Sequence, residues 1–266
     1  MLKKLLLFSL ALFSVLQSMA QKWDIGISGG GSGYMGDLNQ RNVFQVSGPA
    51  VGGFVRRNFS DYVSAKIGFM HGQVVAADRW SSDAETQSRN LSFFSNLDEL
   101  AATVEFNFMK FRPGIDLHAF TPYVFAGIGA VNFNPKAYDY NGNLYELRPL
   151  MTEGQSKPYP NVVMTIPFGA GVKYNFYRNL SLSAEAGYRI PNTDYLDDVS
   201  GMYANPTNFT AKQKEFADRR LSSDYGSYGT QRGDGRSKDT YMFFTVSLTF
   251  TFLSSDCYFT NSNRYR

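Results

Sequence analysis

The sequence predicts an all-β protein, an eight-stranded antiparallel transmembrane β-barrel with short periplasmic turns and long extracellular loops. Three observations lead to this prediction: an alternating apolar segment near the C-terminus, a secretory leader, and connections that alternate between long and short. A soluble β-sandwich or lipocalin-like barrel could contain the first feature, but it has no reason to sort its connections by length. We therefore expect a bacterial outer-membrane location, with both termini in the periplasm.

The alternating segment is residues 240–252. Every second residue is apolar and the residues between them are mostly small and hydroxylated, which is the period of a strand rather than of a helix. A membrane-spanning barrel strand needs about 9 to 11 residues, so this segment is long enough. The predicted lipid-facing side chains are Met242, Phe244, Val246, Leu248, Phe250 and Phe252.

The leader is residues 1–20. Lys3 and Lys4 precede an apolar run over 5–16, and Ser18-Met19-Ala20 forms a small-x-small cleavage site, as in a signal peptide. The run is too short for a membrane-spanning helix. We expect residues 21–252 to form the barrel and 253–266 to form a periplasmic tail.

Seven further segments alternate or are apolar enough to be strands. They are residues 23–28, 49–57, 62–70, 100–108, 122–133, 166–176 and 180–190. The glycine-rich stretch 29–38 is interpreted as a tight turn, since no helix or Lys-Ser/Thr pair follows as a phosphate-binding loop requires. Long loops are expected at 71–92, 134–163 and 191–239, and short connections at 58–61, 111–120 and 177–179.

Composition and charge exclude several functions. The formal net charge of +3 falls to +1 when Lys3 and Lys4 are removed with the leader, so nothing suggests a nucleic-acid partner. No zinc-ligand spacing is present, and we expect no metal, cofactor or small-molecule substrate.

Six charged residues lie on the polar faces of predicted strands and are expected in the lumen: Asp24, Lys66, Glu105, Lys173, Glu185 and Arg189. The interior of an eight-stranded barrel is only wide enough to be filled by side chains. Because an unpaired buried charge is costly, we expect these residues to pair with one another and to leave no pore. A conducting pathway would need more strands or a mobile plug.

Catalysis is not indicated. The chain has only two histidines, His71 and His118, and they are predicted at opposite ends of the barrel. His71 with a loop serine and Asp78 or Asp83 remains an alternative, but no catalytic residue is assigned. The acidic segment 194–200 is oxygen-rich enough for calcium, yet it lacks the glycine-turn spacing, and we interpret it as a structural turn.

The tail carries the one cysteine of the chain. A single cysteine in an oxidising compartment indicates a free thiol or an intermolecular disulfide. The tail is either a disordered terminus or a docking segment. In the second case Asp256, Cys257, Tyr258 and Phe259 are the candidate partner-binding residues.

The motifs Gly33-Tyr34-Met35-Gly36-Asp37-Leu38 and Asp194-Tyr195-Leu196-Asp197-Asp198-Val199-Ser200, with the closing strand, resemble the PorG-like outer-membrane barrels of the type IX secretion system. The resemblance spans the mature chain, although related barrels of unknown role share both patterns. It implies a non-enzymatic barrel that contacts a periplasmic ring built of a PorK-like lipoprotein and its PorN-like partner. The alternative is a lipid-modifying enzyme or surface adhesin that acts through the long external loops.

Overall fold

The computed structural model describes residues 22–39, 45–113, 115–220, 228–233, 235 and 238–252. Eight long strands form a closed antiparallel barrel, which confirms the predicted fold, and a ninth strand of three residues lies in one loop. The strands are β1 (Lys22–Met35), β2 (Val46–Asn58), β3 (Val63–Ala77), β4 (Ser92–Asn107), β5 (Phe120–Tyr138), β6 (Leu144–Glu146), β7 (Val162–Tyr177), β8 (Leu180–Pro191) and β9 (Thr240–Phe252).

Backbone pairing closes the barrel completely. The first and last strands pair along their length, from Trp23 opposite Phe252 to Met35 opposite Thr240. The short strand β6 pairs only with the far end of β5 and is not part of the wall. Since every barrel strand has two neighbours, its backbone groups are satisfied between strands, as the interior of a bilayer requires.

The two ends of the barrel differ. The short-turn end has the connections 59–62, 108–119 and 178–179, and the long-loop end has the connections 36–45, 78–91, 139–161 and 192–239. The long loops carry two helices, α1 (Ala84–Arg89) and α2 (Ala211–Ala217), and 3-10 turns at 78–80, 148–150 and 206–208. None of the helices in the described ranges is long and apolar enough to cross a bilayer.

The wall changes polarity partway along its length. Near the short-turn end the outward side chains are apolar and exposed; Ile27, for example, is 67% exposed. We call this surface the apolar belt. It consists of Trp23, Ile25, Ile27, Val55, Ile67, Phe69, Leu100, Val104, Phe106, Val124, Ile128, Ile166, Phe168, Val172, Leu182, Val246, Leu248, Phe250 and Phe252.

The belt ends at a polar row formed by His71, Asp98 and Asn132, which lie opposite one another on β3, β4 and β5. Beyond this row many outward residues of these strands are polar, among them Gln73, Asn96 and Asn134, whereas inward residues such as Val74 and Phe133 are fully buried apolar groups. Between the polar row and the short turns, the wall is therefore apolar outside and polar inside. Between the row and the long loops, β3, β4 and β5 carry polar groups outside and apolar groups inside.

This reversal explains why β3, β4 and β5 are longer than predicted. β3 continues to Ala77 and β4 begins at Ser92, so the predicted loop 71–92 is reduced to residues 78–91. β5 continues to Tyr138, within the predicted loop 134–163. The alternation has the same period on both sides of the polar row, but its sense inverts, and in a sequence an inversion resembles a strand end.

The prediction of a tight turn at 29–38 was wrong. β1 runs through this glycine-rich stretch to Met35, and the turn is formed by Gly36 and Asn39, whose backbone groups hydrogen bond to each other. At Gly30 a β-carbon would overlap the carbonyl oxygen of Phe244 on β9. Glycine there permits close approach of two strands rather than a change of direction.

Candidate functional site

The interior beside the apolar belt holds a lumen ion network. Its members are Asp24, Arg56, Lys66, Glu105, Lys173 and Glu185. Glu105 is fully buried at its centre, with Nζ of Lys173 2.6 Å from Oε2. Nζ of Lys66 lies 3.2 Å from Oε1 of Glu105, and Nε of Arg56 lies 3.3 Å from Oε2. One carboxylate therefore holds three cations together.

The outer members extend the network across the lumen. Nζ of Lys66 also lies 2.8 Å from Oε2 of Glu185, which accepts a second hydrogen bond from the hydroxyl of Tyr123 at 2.8 Å. Arg56 reaches Asp24 at 3.5 Å. These contacts join strands on opposite sides of the barrel, so the network stabilises the closed wall as well as its own charges.

A second ion pair lies nearer the long-loop end. Nε of Arg189 is 3.3 Å from Oε2 of Glu99, and the hydroxyl of Tyr241 donates to the same oxygen at 2.6 Å. A cavity of about 40 Å³ lies between this pair and Lys66, which is room for a few water molecules and not for a solute.

All six residues predicted in the lumen lie inside the barrel, five of them in the network and Arg189 in the second pair. Sequence reasoning missed Arg56 and Glu99. Arg56 adjoins Arg57, so the alternation shows only that one of the two points inward. Glu99 directly precedes the predicted start of β4 at residue 100 and so belongs to no predicted strand; correct placement of the strand start at Ser92 identifies it.

The long-loop half of the barrel is sealed by a cap, which comprises the described residues of the long loops packed on the barrel mouth. Leu196, Val199 and Phe216 of the last loop join the same buried apolar cluster as wall residues of β3, β4 and β5. Tyr159 stacks on Phe133 of the wall, with ring centroids 6.1 Å apart. The cap therefore closes the lumen where the ion network ends.

Arg89 of α1 fastens three loops of the cap. Its Nε and Nη2 donate to the two carboxylate oxygens of Asp78 at 2.8 and 2.7 Å. Its other donations go to the carbonyl oxygens of Asp37 and Arg232, at 2.9 and 2.5 Å. Asp78 is completely buried, so this pair is a bidentate clamp between the loops 36–45, 78–91 and 192–239.

Aspartates of both resemblance motifs meet at the centre of the cap. The hydroxyl of Tyr34 donates to Asp197 at 2.5 Å and to Asp239 at 3.1 Å. Carboxylate oxygens of Asp37, Asp194 and Asp239 lie within 4.8 Å of one another, so these three residues could ligate a cation such as Ca²⁺. Burial, reinforced by the charge of Asp37, raises the pKa of Asp239 well above its usual range.

Protein donors already satisfy much of this acidic cluster. The backbone N–H of Leu196 donates to Asp239 at 2.9 Å, and the hydroxyl of Ser200 donates to Asp194 at 2.8 Å. The N–H of Asp198 lies 3.3 Å from the carbonyl oxygen of Tyr195, so the segment 194–200 contains a turn. The hydroxyl of Tyr34 thus ties the last long loop to β1, beside Asp37 of the first loop.

Asp198 is fixed separately from the cluster. Its side chain accepts hydrogen bonds from the hydroxyls of Thr152 at 2.6 Å and Tyr159 at 2.7 Å, and its backbone has the left-handed φ of 70°. Burial raises the pKa of this carboxyl group to about 6, although Arg232 opposes the shift. Asp198 is therefore a titratable group inside the folded cap.

We expect the cap to lose stability as the pH rises through about 6. The pKa of Asp198 is higher in the folded than in the unfolded chain, so the protonated carboxyl group stabilises the cap. This stabilisation, up to about 3 kcal/mol, is fully present below about pH 4 and is lost as the pH rises through about 6. The chain has two tryptophans, Trp23 and Trp80. In a Trp23→Phe protein, tryptophan fluorescence during urea unfolding therefore comes only from Trp80 in the cap. Midpoints measured at pH 4.5 and 7.5 test the expectation.

The control for this pH dependence is Asp198→Asn, since asparagine tolerates left-handed backbone and does not titrate. It should remove the share of the pH dependence that belongs to Asp198. A variant whose midpoint changes with pH as much as that of the parent would contradict the assignment.

The histidines occupy separate places. His71 lies in the polar row on the outer surface, with Nδ1 2.6 Å from Oδ1 of Asp98. Asp78 instead binds Arg89, and Asp83 caps α1 through Thr86, so the alternative grouping of His71 with either aspartate does not occur in the structure. His118 is hydrogen bonded to Tyr174 at the short-turn end.

The predicted outward face of β9 is exposed from Val246 to Phe252, whereas Met242 is buried against Gly33. The leader 1–20 and the partner-binding candidates Asp256, Cys257, Tyr258 and Phe259 lie outside the described residues.

Several solved structures of outer-membrane barrels are similar in fold. Neisserial surface protein A is 9% identical, with a TM-score of 0.43, and the alignment covers 88% of this chain and 98% of that one. The attachment invasion locus protein Ail of Yersinia pestis is 11% identical, with a TM-score of 0.41 and coverages of 88% and 100%. For the N-terminal barrel domain of Pseudomonas aeruginosa OprF the values are 15%, 0.36, 86% and 97%.

The closed eight-stranded wall, the apolar belt and the filled lumen define an outer-membrane β-barrel fold. By sequence, the chain belongs to the family described as a domain of unknown function, DUF6089, which matches residues 3–261. No curated protein sequence matches the chain.

Proposed function

We propose that the chain is a non-enzymatic outer-membrane component of the type IX protein secretion system. In this function the barrel anchors or contacts a periplasmic ring made of a PorK-like lipoprotein and a PorN-like partner. The observation that carries the proposal is the filled interior: the ion network occupies one half of the lumen and the apolar core of the cap occupies the other. Because the described residues leave no path for solutes through the lumen, we infer that the barrel acts through its surfaces.

The apolar belt supports insertion in the outer membrane, because exposed outward side chains such as Ile27, Leu100 and Val246 would be poorly solvated in water. β1 begins and β9 ends at the short-turn end. We propose that this end faces the periplasm, so that both ends of the barrel segment and the tail 253–266 lie on the side of the ring.

An apolar groove at the short-turn end is the proposed contact surface. It has a volume of about 630 Å³ and is lined chiefly by Ile115, Leu117, Tyr177, Leu180 and Phe250. The N–H of Thr251 donates to the carbonyl oxygen of Asn179 at 2.9 Å, so β9 ends beside this groove. A lipoprotein anchored in the same membrane lies at the level of this groove and next to the start of the tail.

Leu117→Asp tests the contact, because Leu117 is 60% exposed in the groove and a charge there should repel an apolar partner without disturbing the barrel. Protein extracted in mild detergent should lose the copurifying periplasmic lipoprotein, identified by mass spectrometry. The matched control is Met202→Asp at the long-loop end, where the methionine is 64% exposed.

The outcomes separate the two candidate functions. Loss of the partner in Leu117→Asp and retention in Met202→Asp would support the ring contact. A monomer without partners, or an activity lost only in Met202→Asp, would favour the enzyme or adhesin that acts through external loops.

Non-reduced gels test whether the tail binds the partner covalently. A high-mass band that disappears on reduction and in Cys257→Ser would identify an intermolecular disulfide, whereas a free, reactive Cys257 would exclude it.

A further inference from the structure

The structure contains an outward-facing arginine at the boundary of the apolar belt. Arg57 lies one residue before the end of β2, opposite Trp23 on β1 and Ala65 on β3. Because its neighbour Arg56 points into the lumen, Arg57 points to the lipid side of the wall. The arginine is therefore placed at the level where the belt gives way to the short turns.

Two aromatic rings hold the guanidinium group. Its central carbon lies 5.4 Å from the ring centroid of Trp23 and 5.4 Å from that of Phe59. These cation–π contacts limit the motion of the side chain and keep it beside the belt. A planar donor group fixed in this way loses little conformational freedom when it binds an anion.

Within the described ranges, Arg57 forms no hydrogen bond or ion pair, and its Nε is buried without an acceptor. Its outward neighbours along and across the wall, Val55, Ala65 and Ile25, carry no negative charge. Arg56, by comparison, is paired with Asp24 and Glu105. A half-buried guanidinium without a protein anion is incompletely compensated, so an external anion would stabilise it.

We propose that Arg57, held between Trp23 and Phe59, binds the phosphate group of a membrane phospholipid at the short-turn boundary of the belt. This inference requires the membrane location but not the secretion function. At this level the abundant anion is the lipid phosphate, and arginine recognises phosphate through several N–H groups at once. Under the proposed orientation, the lipid belongs to the inner leaflet of the outer membrane.

Native mass spectrometry of the detergent-solubilised full chain tests the site. The protein is titrated with phosphatidylethanolamine and with diacylglycerol that has the same acyl chains but no phosphate. The wild type should retain phosphatidylethanolamine in preference to diacylglycerol, and Arg57→Gln should reduce that preference about tenfold, the scale of one charge-assisted hydrogen bond. Arg57→Lys keeps the positive charge but lacks the planar guanidinium group with its several N–H donors, and should give an intermediate preference.

The matched control is Arg79→Gln. Arg79 also stacks on a tryptophan, with its central carbon 5.4 Å from the ring centroid of Trp80, but it is in the cap and away from the belt. Its removal should leave the preference unchanged. Retention of the migration shift between heated and unheated protein in SDS gels shows that each variant is folded.

Three results would overturn the assignment. The first is an unchanged preference in folded Arg57→Gln, and the second is an equal loss in Arg79→Gln. The third is displacement of the lipid by millimolar inorganic phosphate, which would indicate a site for free anions. The wild type itself must retain phosphatidylethanolamine, since a chain that retains neither lipid has no such site. Partner loss in Leu117→Asp is measured independently of all these results.

Discussion

Replacement of Glu105 by alanine is expected to destabilise the barrel by about 3–5 kcal/mol, the range for breaking a buried ion pair from one side. Lys66 would keep Glu185 and Arg56 would keep Asp24, but Lys173 would retain only the amide oxygen of Asn107, at 2.9 Å. A buried ammonium group would thus be left without a carboxylate. Urea unfolding in detergent micelles, followed by tryptophan fluorescence, measures the loss.

Two variants make this result specific. Lys173→Met in the Glu105→Ala background removes the stranded charge and should recover part of the stability, because the two positions are coupled. Glu146→Ala breaks an exposed pair with Lys136, 3.1 Å apart, and should cost less than about 1 kcal/mol. Equal losses in Glu105→Ala and Glu146→Ala would show that the lumen network does not stabilise the barrel.

Replacement of Arg89 by methionine should open the cap at a cost of about 3–5 kcal/mol, because Asp78 would be left as a buried carboxylate without its ion-pair partner. The carbonyl oxygens of Asp37 and Arg232 would also lose their shared donor. In the Trp23→Phe background, Trp80 lies close to the altered residues and reports the opening through a lower urea midpoint. Protease cleavage within the loop 192–239 should accelerate in parallel.

Arg112→Met is a matched control for the clamp. Arg112 and Asp116 form a bidentate pair with distances of 2.8 and 3.2 Å, similar in geometry to the clamp, but they are exposed at the short-turn end. Its loss should cost no more than about 1 kcal/mol. An Arg89→Met protein that keeps the midpoint and cleavage rate of the parent would mean that the loops are held by their apolar core alone.

The strand pattern was predictable wherever a strand keeps the same surroundings along its length, apolar on the outer face and polar on the inner face. β9 spans Thr240–Phe252, as predicted, because outward residues from Val246 onward are apolar and inward residues such as Thr249 and Thr251 are polar. The ends of β3 and β5 were not predictable in the same way. Beyond the polar row their outward positions include polar residues such as Gln73 and Asn134, while apolar side chains point inward against the loops. The local sequence of a strand does not reveal this apolar interior.

The lumen charges could be selected from strand parity, but their partners could not. Lys66 meets Glu185 across 119 sequence positions, and only the closure of the barrel brings them together. The same holds for Asp37 and Asp239, which belong to the first and last loops of the long-loop end. Parity predicts the direction of a side chain, whereas pairing depends on which strands face one another across the lumen.

The inversion at His71, Asp98 and Asn132 has a consequence for assembly. In the proposed orientation, the segments beyond this row and the charged long loops must pass through the hydrocarbon before they reach water on the far side. Leu196, Val199 and Phe216 of the last loop become buried only when the far ends of β3, β4 and β5 have formed the wall on that side of the membrane. We therefore expect the halves of the strands next to the short turns to pair and close first, and the long loops to seal the mouth of the barrel last.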